Sequence, residues 1–221
     1  PGGLGEGFAQ AGFDIRLSIE MDPIACKTLK IRKFFHSLKD KDSSKHYYDF
    51  ITRKITLEKL KEANPELWKD ADSRVLNAEL GNKKDEQIIH ERLDEILKDQ
   101  DEFILIGGPP CQGFSVMGDK NSSDPRNELF KSYVSLINDL KPKCFVFENV
   151  KGLSTMYNGQ FLEELKNDFS NCGYDIHFKV INAYDYGVPQ LRERVFIVGT
   201  KLDKNFDFPT LDKKKYGKLK S

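Results

Sequence analysis

Short apolar runs at 15–19, 103–106, 144–147, 176–180 and 195–198 alternate with stretches of helical periodicity at 23–33, 85–98, 127–140 and 160–170. This alternation confines the chain to a narrow set of folds, because strands separated by helices are joined by crossovers and gather into a mostly parallel sheet with helices on both faces. The expected class is α/β, with ligands bound at the carboxyl ends of the strands. The stretch at about 39–82 is rich in lysine and glutamate and only weakly periodic, and it reads as a helical or irregular insertion. A chain of 221 residues buries one sizeable core, so 1–205 is expected to form one domain. Residues 206–221 then read as a basic tail or the start of a linker.

The most telling strand end is Gly107-Gly108-Pro109-Pro110-Cys111-Gln112-Gly113-Phe114-Ser115, directly after Phe103-Ile104-Leu105-Ile106. Two glycines release the backbone from the pleat, and two prolines fix φ on the approach to Cys111. A thiol displayed on such an elbow is either a nucleophile or a buried, inert cysteine in a proline-rich turn.

Three other segments carry chemistry of the same kind. Pro1-Gly2-Gly3-Leu4-Gly5-Glu6-Gly7-Phe8 allows close backbone approach to a ligand, and the next strand ends in Glu20-Met21-Asp22-Pro23. A strand-end carboxylate there can accept hydrogen bonds from both hydroxyls of a ribose, so a nucleoside-containing cofactor fits; a plain glycine-rich terminus would look the same. Phe145-Val146-Phe147 runs into Glu148-Asn149-Val150, which sets a carboxyl group where it can share or donate a proton, or merely cap a loop. If Gln190-Leu191-Arg192-Glu193-Arg194 is extended, alternation turns Gln190, Arg192 and Arg194 to one side, facing a ligand or forming a salt-bridged sheet edge.

Composition excludes several classes. Lys+Arg 35 balances Asp+Glu 35, so no bulk charge advertises a polyanionic partner, although the end of the chain is locally basic at Lys213, Lys214, Lys215, Lys218 and Lys220. Cys26, Cys111, Cys144 and Cys172 are widely spaced and show no zinc-type pattern, so neither a metal nor a disulfide framework is expected. No apolar run reaches membrane-spanning length, and a cytoplasmic protein is expected.

Taken together, the glycine-rich loop, Glu20, the Gly-Pro-Pro-Cys-Gln-Gly-Phe-Ser turn, Glu148-Asn149-Val150 and Gln190-x-Arg192-x-Arg194 closely resemble the C5-cytosine-specific DNA methyltransferases in order and separation. The resemblance covers about 200 residues and implies a Rossmann-like, S-adenosylmethionine-dependent methyltransferase fold. It implies methyl transfer from S-adenosyl-L-methionine to C5 of a cytosine in double-stranded DNA, in a bacterial restriction-modification setting with a cognate restriction endonuclease.

In that family a thiolate adds to C6 of the base, which makes C5 nucleophilic enough to take the methyl group. By resemblance Cys111 is that nucleophile, Glu148 is the group at N3, Arg194 meets the base O2 and Arg192 supports it, adding positive charge that favours the thiolate. A base inside a duplex is out of reach, so the cytosine is expected to be flipped into the pocket, with 112–126 as a lid. Gln112, Ser115, Asn149 and Gln190 then belong to the substrate side. Gly2, Gly3, Leu4, Glu20, Met21, Ile24, Pro109, Asn127 and Leu129 fall on the cofactor side. Glu79, in Asn77-Ala78-Glu79-Leu80-Gly81, matches an acid near the adenine amino group, where aspartate is usual.

The family's first strand, an apolar run ending in Phe-x-Gly, would precede Pro1, and its target-recognition region and last two motifs would follow Ser221. The chain is therefore expected to be the catalytic portion of a longer enzyme. Two other readings share these motifs: a transfer-RNA cytosine-5 methyltransferase of the same family, and a non-catalytic DNA-binding remnant.

Overall fold

The computed structural model describes residues 1–38, 41–98, 102–109, 128–202 and 206–210. Their contacts cluster into two compact units, Pro1–Asp99 and Gln100–Ser221.

The first unit is mainly helical: α1 (Gly3–Gln10), β1 (Ser18–Glu20), α2 (Pro23–His36), α3 (Lys41–Ile51), α4 (Leu57–Ala63), α5 (Pro65–Ser73), β2 (Val75–Asn77) and α6 (Lys83–Leu97). Its helix starts are written in side chains. Asp22 accepts from Ile24 N at 2.8 Å with Pro23 as the first helical residue, Thr56 accepts from Lys59 N at 3.3 Å, and Asn82 accepts from Lys84 N at 3.0 Å. Phe34, Tyr47, Leu60 and Ala71, from α2, α3, α4 and α5, form a core that Phe35, Phe50 and Trp68 pack against. β1 and β2 pair in parallel, with Ser18 opposite Val75 and Glu20 opposite Asn77.

The stretch read as an insertion is thus not uniform. Three helices fill most of it, but Val75–Asn77 is a strand, paired with Ser18–Glu20 in a two-stranded sheet of its own. Three residues are too few to show a period, so only the pairing reveals it. The run at 15–19 is likewise shifted, with the strand at Ser18–Glu20.

The second unit holds β3 (Ile104–Gly107), α7 (Glu128–Leu140), β4 (Cys144–Val150), α8 (Gln160–Asn171), β5 (Asp175–Asn182) and β6 (Glu193–Thr200). The strand order is β3-β4-β6-β5; β3 and β4 are parallel, and β6 is antiparallel to both of its neighbours. Hence β3, β4 and β5 run one way and β6 alone is reversed, as follows from the β5–β6 connection, which lacks a crossover α-helix. The carboxyl ends of β3, β4 and β5 and the start of β6 share one edge.

The core of this unit is aromatic. Phe145, Phe147 and Phe169 are fully buried, with Phe145 and Phe169 ring centroids 4.6 Å apart, and Ile137, Leu165, Val195 and Ile197 close around them. Tyr133 donates from its hydroxyl to Val146 O at 3.1 Å, and burial pushes that phenol's pKa up. Close packing needs glycine at two points. A Cβ on Gly107 would stand 2.5 Å from Tyr133 Cε2, and one on Gly199 would enter the Phe145 ring.

Candidate active site

β4 runs three residues beyond the last β3 pair, Gly107 with Phe147, while it stays paired to β6 as far as Val150 opposite Arg194. The strand therefore does not stop before Glu148 but carries it, and the side of β4 vacated by β3 is taken by the chain turning away at Gly108. Burial alternates along β4, with Phe145, Phe147 and Asn149 turned into the core and Glu148 on the opposite face.

Glu148 and Arg194 lie diagonally across the β4–β6 pair, and Arg194 Nε meets Glu148 Oε1 at 3.1 Å. Both side chains are about three-quarters buried, at 26% and 23% exposure, so the pair is sheltered without being sealed from solvent. Arg194 Nη1 also donates to the Glu193 carbonyl at 2.7 Å, which leaves the guanidinium little freedom. A Cβ built on Gly108 would stand 2.9 Å from the other oxygen of the carboxylate, Oε2.

Asn149 anchors the backbone beside it. Its Nδ2 donates to Pro109 O at 2.8 Å and its Oδ1 accepts from Val150 N at 2.9 Å. From the buried face of β4 it thus holds the backbone two residues before Cys111. Cys111, Gln112, Ser115 and Asn127 lie outside the described residues. Leu129 is half-buried in the first turn of α7.

The structure does not bring Gln190, Arg192 and Arg194 onto one extended face. β6 begins at Glu193, and Gln190 N donates back to Val188 O at 2.7 Å, a tight bend around Pro189 that breaks the alternation. Arg194 alone reaches Glu148; Gln190 and Arg192 are exposed. Beside them Lys151 Nζ spans to both carboxylate oxygens of Glu193, at 3.0 and 2.9 Å, a second tie between the ends of β4 and β6.

In the first unit, the carboxyl ends of β1 and β2 collect Glu20, Met21 and Glu79. Glu20 Oε1 accepts from Asp22 N at 3.0 Å, which leaves Oε2 as its second acceptor. Met21 and Ile24 are 57% and 71% exposed. Two apolar side chains in water beside a carboxylate fit a nucleoside, since the carboxylate can take ribose hydroxyls and the flat base can cover the apolar surface. Glu79 follows β2, its backbone N–H held by Asp85 Oδ2 at 2.8 Å and its own Oε2 accepting from Asn82 Nδ2 at 3.2 Å.

Gly2, Gly3 and Leu4 form the entrance of α1. Gly2 has φ +82°, and a Cβ there would stand 2.7 Å from a methyl of Leu29, so glycine is required twice over. Farther along α1, Glu6 accepts from Arg32 Nη2 at 2.6 Å and contacts His36 Nε2 at 2.9 Å, which fastens the glycine-rich helix to α2.

Sequence reasoning passed over two side chains at these edges. Asn77 Nδ2 donates to the carbonyls of Glu20 and Met21 at 3.0 and 2.9 Å, and Asn182 Oδ1 accepts from Tyr184 N and Arg192 N. An asparagine ending a strand was the available signal, because that residue type so often binds nearby backbone.

The profile of the family described as C-5 cytosine-specific DNA methylase matches residues 62–221. The Type II methyltransferase M.Bpa9945I of Bacillus paralicheniformis is 31% identical over 97% of this chain and 55% of its own length. M.XorII of Xanthomonas oryzae is 38% identical over 90% of this chain and 38% of its own length. M.AquIA of Picosynechococcus is 34% identical over 94% of this chain and 71% of its own length. The chain thus spans between 38% and 55% of the length of several curated relatives it matches. Among solved structures, a candidate DNA modification methyltransferase from an E. coli prophage superposes with a TM-score of 0.58 and 28% identity, over 90% of this chain and 43% of that one. The S. pombe Dnmt2 methyltransferase shares the fold at a TM-score of 0.57 and 15% identity, over 100% of this chain and 54% of that one. The Rossmann-like α/β architecture and the matched segment identify this chain as a member of the C-5 cytosine-specific DNA methylase family.

Proposed function

We propose that this chain is the catalytic portion of a DNA cytosine-5 methyltransferase of the Type II restriction-modification kind, acting on double-stranded DNA in the bacterial cytoplasm. The observation that carries the reading is the sheltered Glu148–Arg194 pair, set where β3 turns away through Gly108 and Pro109 toward Cys111. A carboxyl group and a guanidinium fixed side by side suit one edge of a pyrimidine, with Glu148 directed to N3 and Arg194 to O2.

The chain's residues would work in sequence. The Cys111 thiolate adds to C6 of a flipped cytosine, and the negative charge this pushes into the ring is met at N3 by a proton carried on the Glu148 carboxyl group and at O2 by a hydrogen bond from the Arg194 guanidinium. Those donors are fixed beforehand by the β4–β6 ladder, so little reorganisation accompanies the addition. Asn149, through Pro109 O, sets the approach of the turn that bears the thiol. Glu20, Met21 and Ile24, with the Gly2-Gly3-Leu4 entrance and Glu79, would hold S-adenosylmethionine, which supplies an electrophilic methyl group.

The test uses the full-length protein, S-adenosylmethionine and a library of duplexes with 5-fluorocytosine in random sequence. A denaturant-resistant adduct that is lost in Cys111→Ala supports the reading, and absence of an adduct overturns it. Methyl transfer to transfer RNA in preference to unmethylated DNA would overturn the substrate.

A further inference from the structure

Asn182, the last residue of β5, closes the base of the loop that carries Gln190 and Arg192. Its Oδ1 accepts two backbone hydrogen bonds from opposite arms of that loop, from Tyr184 N at 3.1 Å and from Arg192 N at 3.2 Å. The first caps the short 3₁₀ turn Ala183–Tyr186, and the second spans ten residues of chain. Between them Ala183 N donates to Arg192 O at 2.9 Å, which extends the β5–β6 ladder one step past the pair of Asn182 with Glu193. The remainder of the loop turns through Gly187 at φ 86° and is held by Val188 N on Ala183 O at 3.2 Å.

Where the chain enters β6 decides where two guanidinium groups stand. Arg194 lies opposite Ile181 on one side and Val150 on the other, and its side chain meets Glu148. Arg192 is one step outside the strand, with no β4 residue paired to it, and the hold on its backbone N–H is Asn182. Without that acceptor the bond from Ala183 N to Arg192 O is the remaining tie on the Arg192 backbone among the described residues, and the Arg192 N–H loses its partner just where the chain enters the strand that carries Arg194.

We infer that Asn182 is a positioning residue for the reaction, whose side-chain carbonyl fixes the Arg192 peptide and so aims Arg192 and Arg194 at the target base. The inference rests on the methyltransferase reading above. Three substitutions in the full-length protein separate its parts. Asn182→Asp keeps an acceptor oxygen at the same reach. Asn182→Ser keeps a hydroxyl able to cap the Tyr184 amide but too short to hold Arg192 as well. Asn182→Ala removes both bonds.

Methyl transfer to unmethylated bacterial DNA is measured as kcat and as KM for each substrate, with thermal unfolding recorded for every variant. Asn182→Ser is expected to lower kcat by about 10- to 100-fold with KM for S-adenosylmethionine unchanged, the size of loss that a slight misplacement of reacting groups brings. Asn182→Asp is expected to recover most of it. Wild-type rates in the serine variant, or equal losses in the serine and aspartate variants, overturn the inference. If the alanine variant does not fold, the serine and aspartate pair still decides. A wild-type protein without methyl transfer would instead sink the methyltransferase reading itself, so the two failures are distinguishable.

Discussion

Gly108 lies directly against Glu148: a Cβ built on it would stand 2.9 Å from Glu148 Oε2 and 3.2 Å from the Glu148 carbonyl oxygen. The carboxylate is therefore confined on one side by Gly108 and on the other by Arg194, whose Nε touches Oε1. Gly108→Ala must displace either the carboxylate or the turn leading toward Cys111. Activity is expected to fall about 10-fold or more while thermal stability changes little, since Gly108 is exposed. Steady-state kinetics beside a thermal melt check this, and an alanine variant with wild-type kcat would show that the contact is slack.

Glu148→Gln keeps the shape of the side chain and removes its charge and its capacity as an acid. It leaves the sheltered Arg194 guanidinium with a neutral amide in place of its anionic partner. Loss of a positioned proton donor or acceptor is expected to cost roughly 10²- to 10⁴-fold in kcat. Methyl transfer and adduct formation are measured together. A glutamine variant that still accumulates adduct at the wild-type rate would remove Glu148 from the addition step.

Asn149→Ala tests a different kind of role. The side chain is 6% exposed and its Nδ2 holds Pro109 O, so truncation abandons a carbonyl and opens a gap behind the turn. A destabilisation of about 1–3 kcal/mol is expected by denaturant unfolding, together with slower adduct formation. If Asn149 instead served the substrate directly, DNA binding would weaken and stability would hold.

The elements legible in the sequence were those with their own period or punctuation. Helix α8 repeats apolar residues at the expected spacing, strand β4 opens on an unbroken apolar run, and Asp22-Pro23 announces α2 through a cap and a proline. The motif residues around Glu148 and Arg194 were legible as chemistry, but their mutual contact was not. It depends on the antiparallel register that places Val150 opposite Arg194. β2 was hidden because Val75–Asn77 is too short to alternate and is defined by its partner β1. The bend at Pro189 was overlooked for a related reason: the Gln-x-Arg-x-Arg spacing imitates a strand, while the Gln190 N bond to Val188 O forbids one there. Asn77 and Asn182 act on distant backbone, and no local pattern names such targets.

Glu6 supplies a prediction that depends on pH. Hydrogen bonds from Arg32, and then from His36, hold its carboxyl well below the usual carboxylate range, at about 2. A carboxyl group whose pKa is depressed by folding adds stability above its unfolded pKa, near 4.3, and that contribution is lost as the pH falls through the interval down to about 2. Glu6→Gln removes the charge and with it the dependence. The variant is expected to melt lower than the wild type at pH 6, and the gap between their melting temperatures is expected to narrow steadily once the pH drops below about 4.3. Because Glu6 ties α1 to α2 behind the Gly2-Gly3-Leu4 entrance, the same substitution is expected to raise KM for S-adenosylmethionine more than it lowers kcat. A gap in melting temperature that stays constant from pH 6 to pH 3 would show that the Arg32 and His36 contacts do not act through the charge of Glu6.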